Sequence, residues 1–193
     1  MITKDKSLGC LLGLAIGDAL GMSTESKSKE LIKEEFGLVT DYQKGYLPAG
    51  SYTDDTQQAI ILIESLLKNV GFNKENYSRD IVTKTDFSRG IGPSLLKFIR
   101  SHLSDKKQNN NINNNKIYPS NGLAMKIAPV ALFYHNNPEN INQTIEQIAS
   151  LTHKHSASLA GGIAIAQSVN YVLNKDVNIF NNKNFLDYVV NQT

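Results

Sequence analysis

Asp54-Asp55-Thr56-Gln57-Gln58-Ala59-Ile60-Ile61-Leu62-Ile63-Glu64-Ser65-Leu66-Leu67-Lys68 carries the clearest periodicity in the chain. Ala59, Ile60, Ile63, Leu66 and Leu67 recur at the three- and four-residue intervals of an amphipathic helix, and Gly71 follows as a stop signal. The same period extends in both directions. Upstream, Leu8, Leu11, Leu12, Ala15, Ile16 and Ala19 are spaced as a helix, interleaved with Gly9, Gly13, Gly17 and Gly21 at every fourth position. Each glycine costs a helix up to about 1 kcal/mol relative to alanine, so the stripe predicts close approach of another backbone. A short helix is expected from Lys29 to Phe36, with a turn-rich stretch over 41–53 after it. Downstream, helices are expected over 75–89, Ser94–Leu103 after Pro93, Asn121–His135, Asn142–Leu151, Ser156–Leu173 with Ser156 as its cap, and Phe180–Val190. No segment alternates as a strand does. The fold class is all-α, and residues 1–193 form a single domain, with an asparagine-rich loop insertion at 105–117.

Composition narrows the function. A chain of 193 residues buries about 70% of the surface its unfolded form exposes, enough for a core without disulfides. The single Cys10 permits no intrachain bridge and suggests a reducing compartment, so the expected location is cytoplasmic. Twenty basic against eighteen acidic residues leave a net charge of +2, too even for a nucleic-acid binder. No apolar run reaches about 18 residues, so no membrane span is expected. Ser7-Leu8-Gly9-Cys10 is a poor lipoprotein box, because the apolar region it needs ahead of the cysteine is replaced by Met1–Ser7, which include three charges. The apolar stretch is expected to be a buried helix instead.

Several short segments have the residue types of a site. In Tyr52-Thr53-Asp54-Asp55-Thr56, two adjacent carboxylates and hydroxyls at a helix start are hard oxygen ligands suited to Mg²⁺. The same residues also serve as a cap at the positive end of the helix, and the segment alone leaves both readings open. Glu25 stands in a polar stretch after the glycine-striped helix. His153 and His155 precede a helix start, where free N–H groups can hold a phosphate. Ser120-Asn121-Gly122 either presents backbone to a ligand or begins a helix. Gly90 and Gly92 lack the preceding strand and the spacing of a dinucleotide fingerprint.

Their order along one chain is more specific than any of them singly. Gly13-Leu14-Ala15-Ile16-Gly17-Asp18-Ala19-Leu20-Gly21 followed by Glu25 resembles the opening motif of the ADP-ribosylglycohydrolase family. Thr53-Asp54-Asp55-Thr56 after Gly50 is similar to its second motif, Asn121-Gly122-Leu123-Ala124-Met125-Lys126 with Pro129 to its third, and Thr152-His153 to a fourth. The third departs from the usual pattern, with Lys126 in place of arginine and Ser120 in place of glycine.

The resemblance implies an all-α hydrolase that releases ADP-ribose from modified protein side chains at a Mg²⁺ centre. By position, Thr53, Asp54 and Asp55 are metal ligands, and Glu25 and Asp55 are catalytic. Gly90, Gly92, Asn121, Gly122 and His153 contact the substrate. The implied partners are ADP-ribose or an ADP-ribosylated protein, with no nucleic acid, no membrane, and self-association through uncovered apolar surface. The family pattern closes with a C-terminal Gly-Gly-Asp-x-Asp-Thr-like segment, whereas the late acids here, Asp176 and Asp187, have no such context. The expectation is therefore a domain without its C-terminal third, holding one Mg²⁺ or none where the family holds two. An inactive ADP-ribose-binding module is the alternative.

Overall fold

Side-chain caps start most of the helices, and in several cases the cap is the residue its chemistry favours. The computed structural model describes residues 3–103, 118–175 and 177–193, so the asparagine-rich insertion lies outside the described residues. Helix α1 (Lys4–Gly21) follows Thr3, whose hydroxyl accepts the Lys6 N–H at 3.2 Å. Helix α2 (Lys29–Glu35) is capped by Ser28, and α3 (Asp54–Asn69) begins after Thr53. Asn73 caps α4 (Lys74–Lys84), and α5 (Pro93–Leu103) opens on its proline. A buried turn of helix, α6 (Ala128–Phe133), precedes α7 (Glu139–Thr152), α8 (Ser156–Leu173) and α9 (Asn182–Gln192). Three short 3₁₀ turns, Phe87–Arg89, Ala124–Lys126 and Val177–Ile179, complete the regular structure, and no strand occurs among the described residues.

The expected all-α class holds, but three local expectations are corrected. The helix over Asn121–His135 is broken: residues 121–123 turn, a 3₁₀ turn follows, and Pro129 sits in the first turn of α6, where its missing N–H is harmless. The 75–89 helix ends at Lys84, and Thr85–Asp86 separates it from the 3₁₀ turn. The cap of α8 is His155, whose Nδ1 accepts the Ala157 N–H at 3.1 Å, and Ser156 is the first helical residue.

Helix α3 is central. It packs on α1, α4, α6 and the 124–126 turn, while α8 packs on α6, that turn, α7 and α9. The inward face of α3 is Ala59, Ile61, Leu62 and Leu66 with Gln58 and Ser65, while Ile60 and Leu67 face solvent. The apolar stripe is thus rotated from the one the pattern predicts, because polar Gln58 is buried against Thr85 through a 3.1 Å hydrogen bond. Helix α3 ends on Val70 in the left-handed region (φ 53°), and the Gly71 N–H bonds back to the Leu66 carbonyl, closing the turn.

The expectation of a buried α1 is met on one face only. Ala19 is buried, but Leu8, Leu12 and Ile16 remain about half exposed. No described atom lies within 4 Å of where a Cβ on Gly9, Gly13, Gly17 or Gly21 would stand. The predicted neighbouring backbone is therefore not among the described residues. Ile179, Leu186 and Val190 are exposed near the C-terminal end. No described helix is long and apolar enough to cross a membrane.

The rotated face of α3 gives a direct check. Leu62→Ala is expected to lower stability by about 2–5 kcal/mol by leaving a core cavity, and Leu67→Ala to change it by no more than about 0.5 kcal/mol. Denaturant unfolding of the two variants measures the contrast.

Candidate active site

The start of α3 is held by a residue outside α3. Asp18, near the end of α1, accepts four hydrogen bonds: from Thr53 N–H (2.9 Å), Thr53 Oγ1 (2.6 Å), Thr56 N–H (3.1 Å) and Thr56 Oγ1 (2.5 Å). The local capping bond from Asp55 N–H to Thr53 Oγ1 is long, at 3.4 Å. Asp54 and Asp55 lie between the two anchored threonines and line a cleft of about 1100 Å³.

The cleft gathers nearly all of the expected site. Glu25, Asp54, Asp55, Gly90, Gly92, Asn121, Gly122 and His153 line it, together with Tyr46, Met125 and Lys126. Thr53 does not. It is buried behind the acids with its hydroxyl donating to Asp18. His155, the other member of the histidine pair, is engaged in capping α8.

Two glycines are required by close approach. At Gly90 (φ 90°) a Cβ would stand 2.9 Å from the Tyr46 hydroxyl and 3.5 Å from the Asp54 carboxylate. The Gly90-Ile91-Gly92 loop therefore closes over Asp54. At Gly122 a Cβ would overlap the His153 ring at 2.2 Å from Nε2. The Asn121-Gly122 turn thus rests on His153, whose Nδ1 pairs with Thr152 Oγ1 at 2.6 Å. Ser158 of α8 steadies this turn from behind, accepting from Ser120 N–H and donating to Ser120 O, both at 2.9 Å. Beside Glu25, Ser26 adopts a left-handed conformation (φ 62°), a backbone state that concentrates at functional sites.

Electrostatics divides the cleft. On one side, burial pushes the Asp55 carboxyl up to about 7, with Asp18, Asp54 and Glu25 adding repulsion. Burial also raises Asp54, against the opposing pull of the Gly92 N–H and Lys126, and raises Glu25, with Asp54 and Asp18 adding to it. The Tyr46 phenol is driven to about 12 by burial and then by the same carboxylates. On the other side, the fully buried Lys126 ammonium is lowered to about 8 by desolvation, with Asp54 opposing, and its Nζ has no hydrogen-bond partner among the described residues. Burial, and then Lys126, depresses His153 to about 3, so its ring is neutral.

Asp18, Tyr46 and the buried state of Lys126 are features that sequence reasoning missed as parts of the site. Asp18 and Lys126 stand inside quoted motifs, but only the packing of α1 on α3 and of the 124–126 turn on α3 and α8 gives them their roles. Tyr46, in the turn-rich 41–53 stretch, had no periodic signal. Its hydroxyl reaches the Arg89 carbonyl at 3.3 Å, and Arg89 in turn bonds the Tyr52 carbonyl and stacks over the Tyr52 ring.

The family model for ADP-ribosylglycohydrolase matches residues 1–192. The chain belongs to the ADP-ribosylglycohydrolase family. An uncharacterized protein of Archaeoglobus fulgidus is 36% identical over 86% of this chain and 55% of its own length. ADP-ribosylhydrolase ARH3 of Bos taurus is 28% identical, over 86% of this chain and 49% of its own. The ADP-ribosyl-[dinitrogen reductase] glycohydrolase of Rhodospirillum rubrum is 26% identical, over 88% and 58%. A solved structure described as an ADP-ribosylglycohydrolase-related protein complex superposes with a TM-score of 0.65 at 29% identity, covering 88% of this chain and 56% of that one. This member of the ADP-ribosylglycohydrolase family therefore spans about half the length of the curated relatives it matches.

The raised Asp55 carboxyl has a signed consequence. An acid whose folded pKa lies above its ordinary 3.8 favours the fold most fully below that value, and the advantage is lost as pH rises through about 7. Asp55→Asn, which keeps the side chain neutral, is expected to raise the melting temperature more at pH 8 than at pH 5 in the presence of a chelator. Thermal melts at the two pH values read the difference.

Proposed function

We propose that the cleft binds the ADP-ribose moiety of a modified protein side chain, and that its acidic wall holds Mg²⁺ and hydrolyses the glycosidic bond. The observation that carries this reading is that Glu25, Asp54 and Asp55 share one cleft with the Asn121-Gly122 turn and neutral His153.

The donor set fits a hard cation. Asp54 and Asp55 are adjacent oxygen ligands raised by burial and then by neighbouring carboxylates, a strain that a divalent ion relieves. No group of three or more His, Cys, Asp or Glu side chains able to hold a metal occurs among the described residues. Mg²⁺ is satisfied by one or two carboxylates with water in its other positions, so the acids support a single weakly held ion. When bound, the ion polarises a water and orients ribose hydroxyls.

The chain's own residues do the rest. Asp54 and Asp55 hold the ion, with Thr53 behind them. Glu25, exposed at the mouth and raised in pKa, exchanges a proton with the attacking water or the leaving side chain. The water oxygen bonds to the anomeric carbon as the bond from that carbon to the side chain breaks. The water's proton is taken up, and the departing side chain receives one. The Gly90–Gly92 loop, which closes over Asp54, and the Asn121-Gly122 backbone present polar groups to the phosphates and riboses. Neutral His153 keeps Gly122 in place rather than adding charge.

The alternative, an ADP-ribose-binding module without turnover, is favoured by the small ligand set. One experiment separates the two readings. Purified protein with Mg²⁺ is incubated with an ADP-ribosylated peptide, and free ADP-ribose is quantified. The hydrolase reading expects release that falls by about 10²–10⁴-fold in Glu25→Gln and to background in the Asp54→Ala, Asp55→Ala double variant. Calorimetric binding of ADP-ribose with no release assigns the chain to the binding module. Absence of both removes the proposal.

A further inference from the structure

We propose that Asp18 is the positioning residue of the acidic pair: its carboxylate fixes Thr53 and Thr56 on either side of Asp54-Asp55 and thereby sets the affinity of that pair for a divalent cation. The inference rests on the cation-binding reading above and gives its mechanism in a residue that lies outside the cleft lining.

The geometry is specific. A carboxylate has about four lone-pair sites, and Asp18 has four donors. Three of these donors converge on Oδ2 and one reaches Oδ1, and Asp18 lies outside the cleft lining, so it acts on the cation through other residues. Its Oδ2 takes two backbone N–H groups, of Thr53 and Thr56, which a helix start would otherwise satisfy through its own cap. The local cap is a single 3.4 Å bond, so the orientation of the first turn depends on α1 rather than on α3 itself. Asp54 and Asp55 are the two residues between the anchors, and the direction of their side chains follows from the backbone so held. Thr53 uses its hydroxyl proton on Asp18, leaving only acceptor character for its other contacts. Asparagine substitutes poorly: its one oxygen takes the Oδ2 bonds without the charge that strengthens them, and its NH₂ would face the Thr53 hydroxyl that donates to Oδ1. Partners that orient metal ligands typically alter metal affinity by about 10–100-fold when removed.

Charge alone offers a competing account, since Asp18 also raises the Asp54 and Asp55 carboxyls from a distance. Thr56 separates the two. Its buried hydroxyl donates to Asp18 and it is absent from the cleft lining, so Thr56→Val removes one clamp bond and leaves every carboxylate in place. Thr56→Ser restores the bond.

The test is calorimetric titration of Mg²⁺ into chelator-treated protein, with circular dichroism and thermal melts recording the fold. ADP-ribose binding without metal is measured alongside. Asp18→Asn and Thr56→Val are each expected to weaken Mg²⁺ about tenfold or more, Thr56→Ser to recover it, and metal-free ADP-ribose affinity to stay within about twofold in all three. Folded variants that bind Mg²⁺ as the wild type does would make Asp18 merely structural and overturn the proposal. Weakening in Asp18→Asn but not in Thr56→Val would assign the effect to charge and overturn it also. If Asp18→Asn fails to fold, the Thr56→Val and Thr56→Ser pair still decides. A wild-type chain that binds no Mg²⁺ refutes the cation-binding reading and this role together, whereas failure in the variants alone refutes only the role.

Discussion

One carboxylate joins the two halves of this molecule's working surface. Asp18 receives both the backbone and the hydroxyl hydrogens of Thr53 and Thr56, so α1 and α3 meet through charge-assisted hydrogen bonds rather than through packing alone. Helix α3 is the element on which α1, α4 and α6 converge. What fixes its first turn therefore fixes the acids at its start relative to the loops that face them. The remaining polar anchors of α3 follow the same logic. Gln57 pairs with the backbone of Asp86 and Gln58 with Thr85, tying the exit of α4 to the same helix.

The cost of this arrangement is concentrated in the acids. Asp18, Asp54, Asp55 and Glu25 repel one another in a partly buried setting, and no lysine or arginine forms a salt bridge with any of them among the described residues. Lys126 is the cation whose field reaches Asp54, yet its ammonium is fully buried and makes no hydrogen bond among the described residues. Such a cluster is unfavourable for the isolated fold and favourable for a cationic ligand, the balance expected where function competes with stability.

The hydrophobic interior places the Asn121-Gly122 turn. Leu123, Ile127, Val130 and Ala131 are fully buried and run directly on from Asn121-Gly122. This turn, with Asn121 exposed and Gly122 buried, is thus the end of a core segment and lines the same cleft as the acids. Gly162 of α8 allows Leu123 to lie against that helix, with a Cβ position 2.7 Å from the leucine side chain. Core packing thus holds this turn at the cleft that Asp54 and Asp55 also line. The outer face of α1 has no such cover among the described residues, so its leucines and glycines contribute to the surface rather than to this core.

Period and motif determined the class and much of the site. The spacing of apolar residues specified helices because a 3.6-residue repeat lets only one face leave water, and Glu25, Asp54, Asp55, Asn121 and Gly122, which line the cleft, stand in motifs that the sequence shows. Helix ends at Pro129 and His155, and the inward face of α3, were not legible, because they depend on which polar side chains find partners after folding. Asp18 is the sharpest instance. Within the sequence it is one acid on a glycine-rich helix, and nothing local distinguishes a solvated charge from a clamp. Only the approach of α1 to α3 brings it, 35 residues away in the chain, within 2.9 Å of the Thr53 N–H. A hydrogen bond of that range is decided by how the helices pack, and so it belongs to the tertiary structure alone.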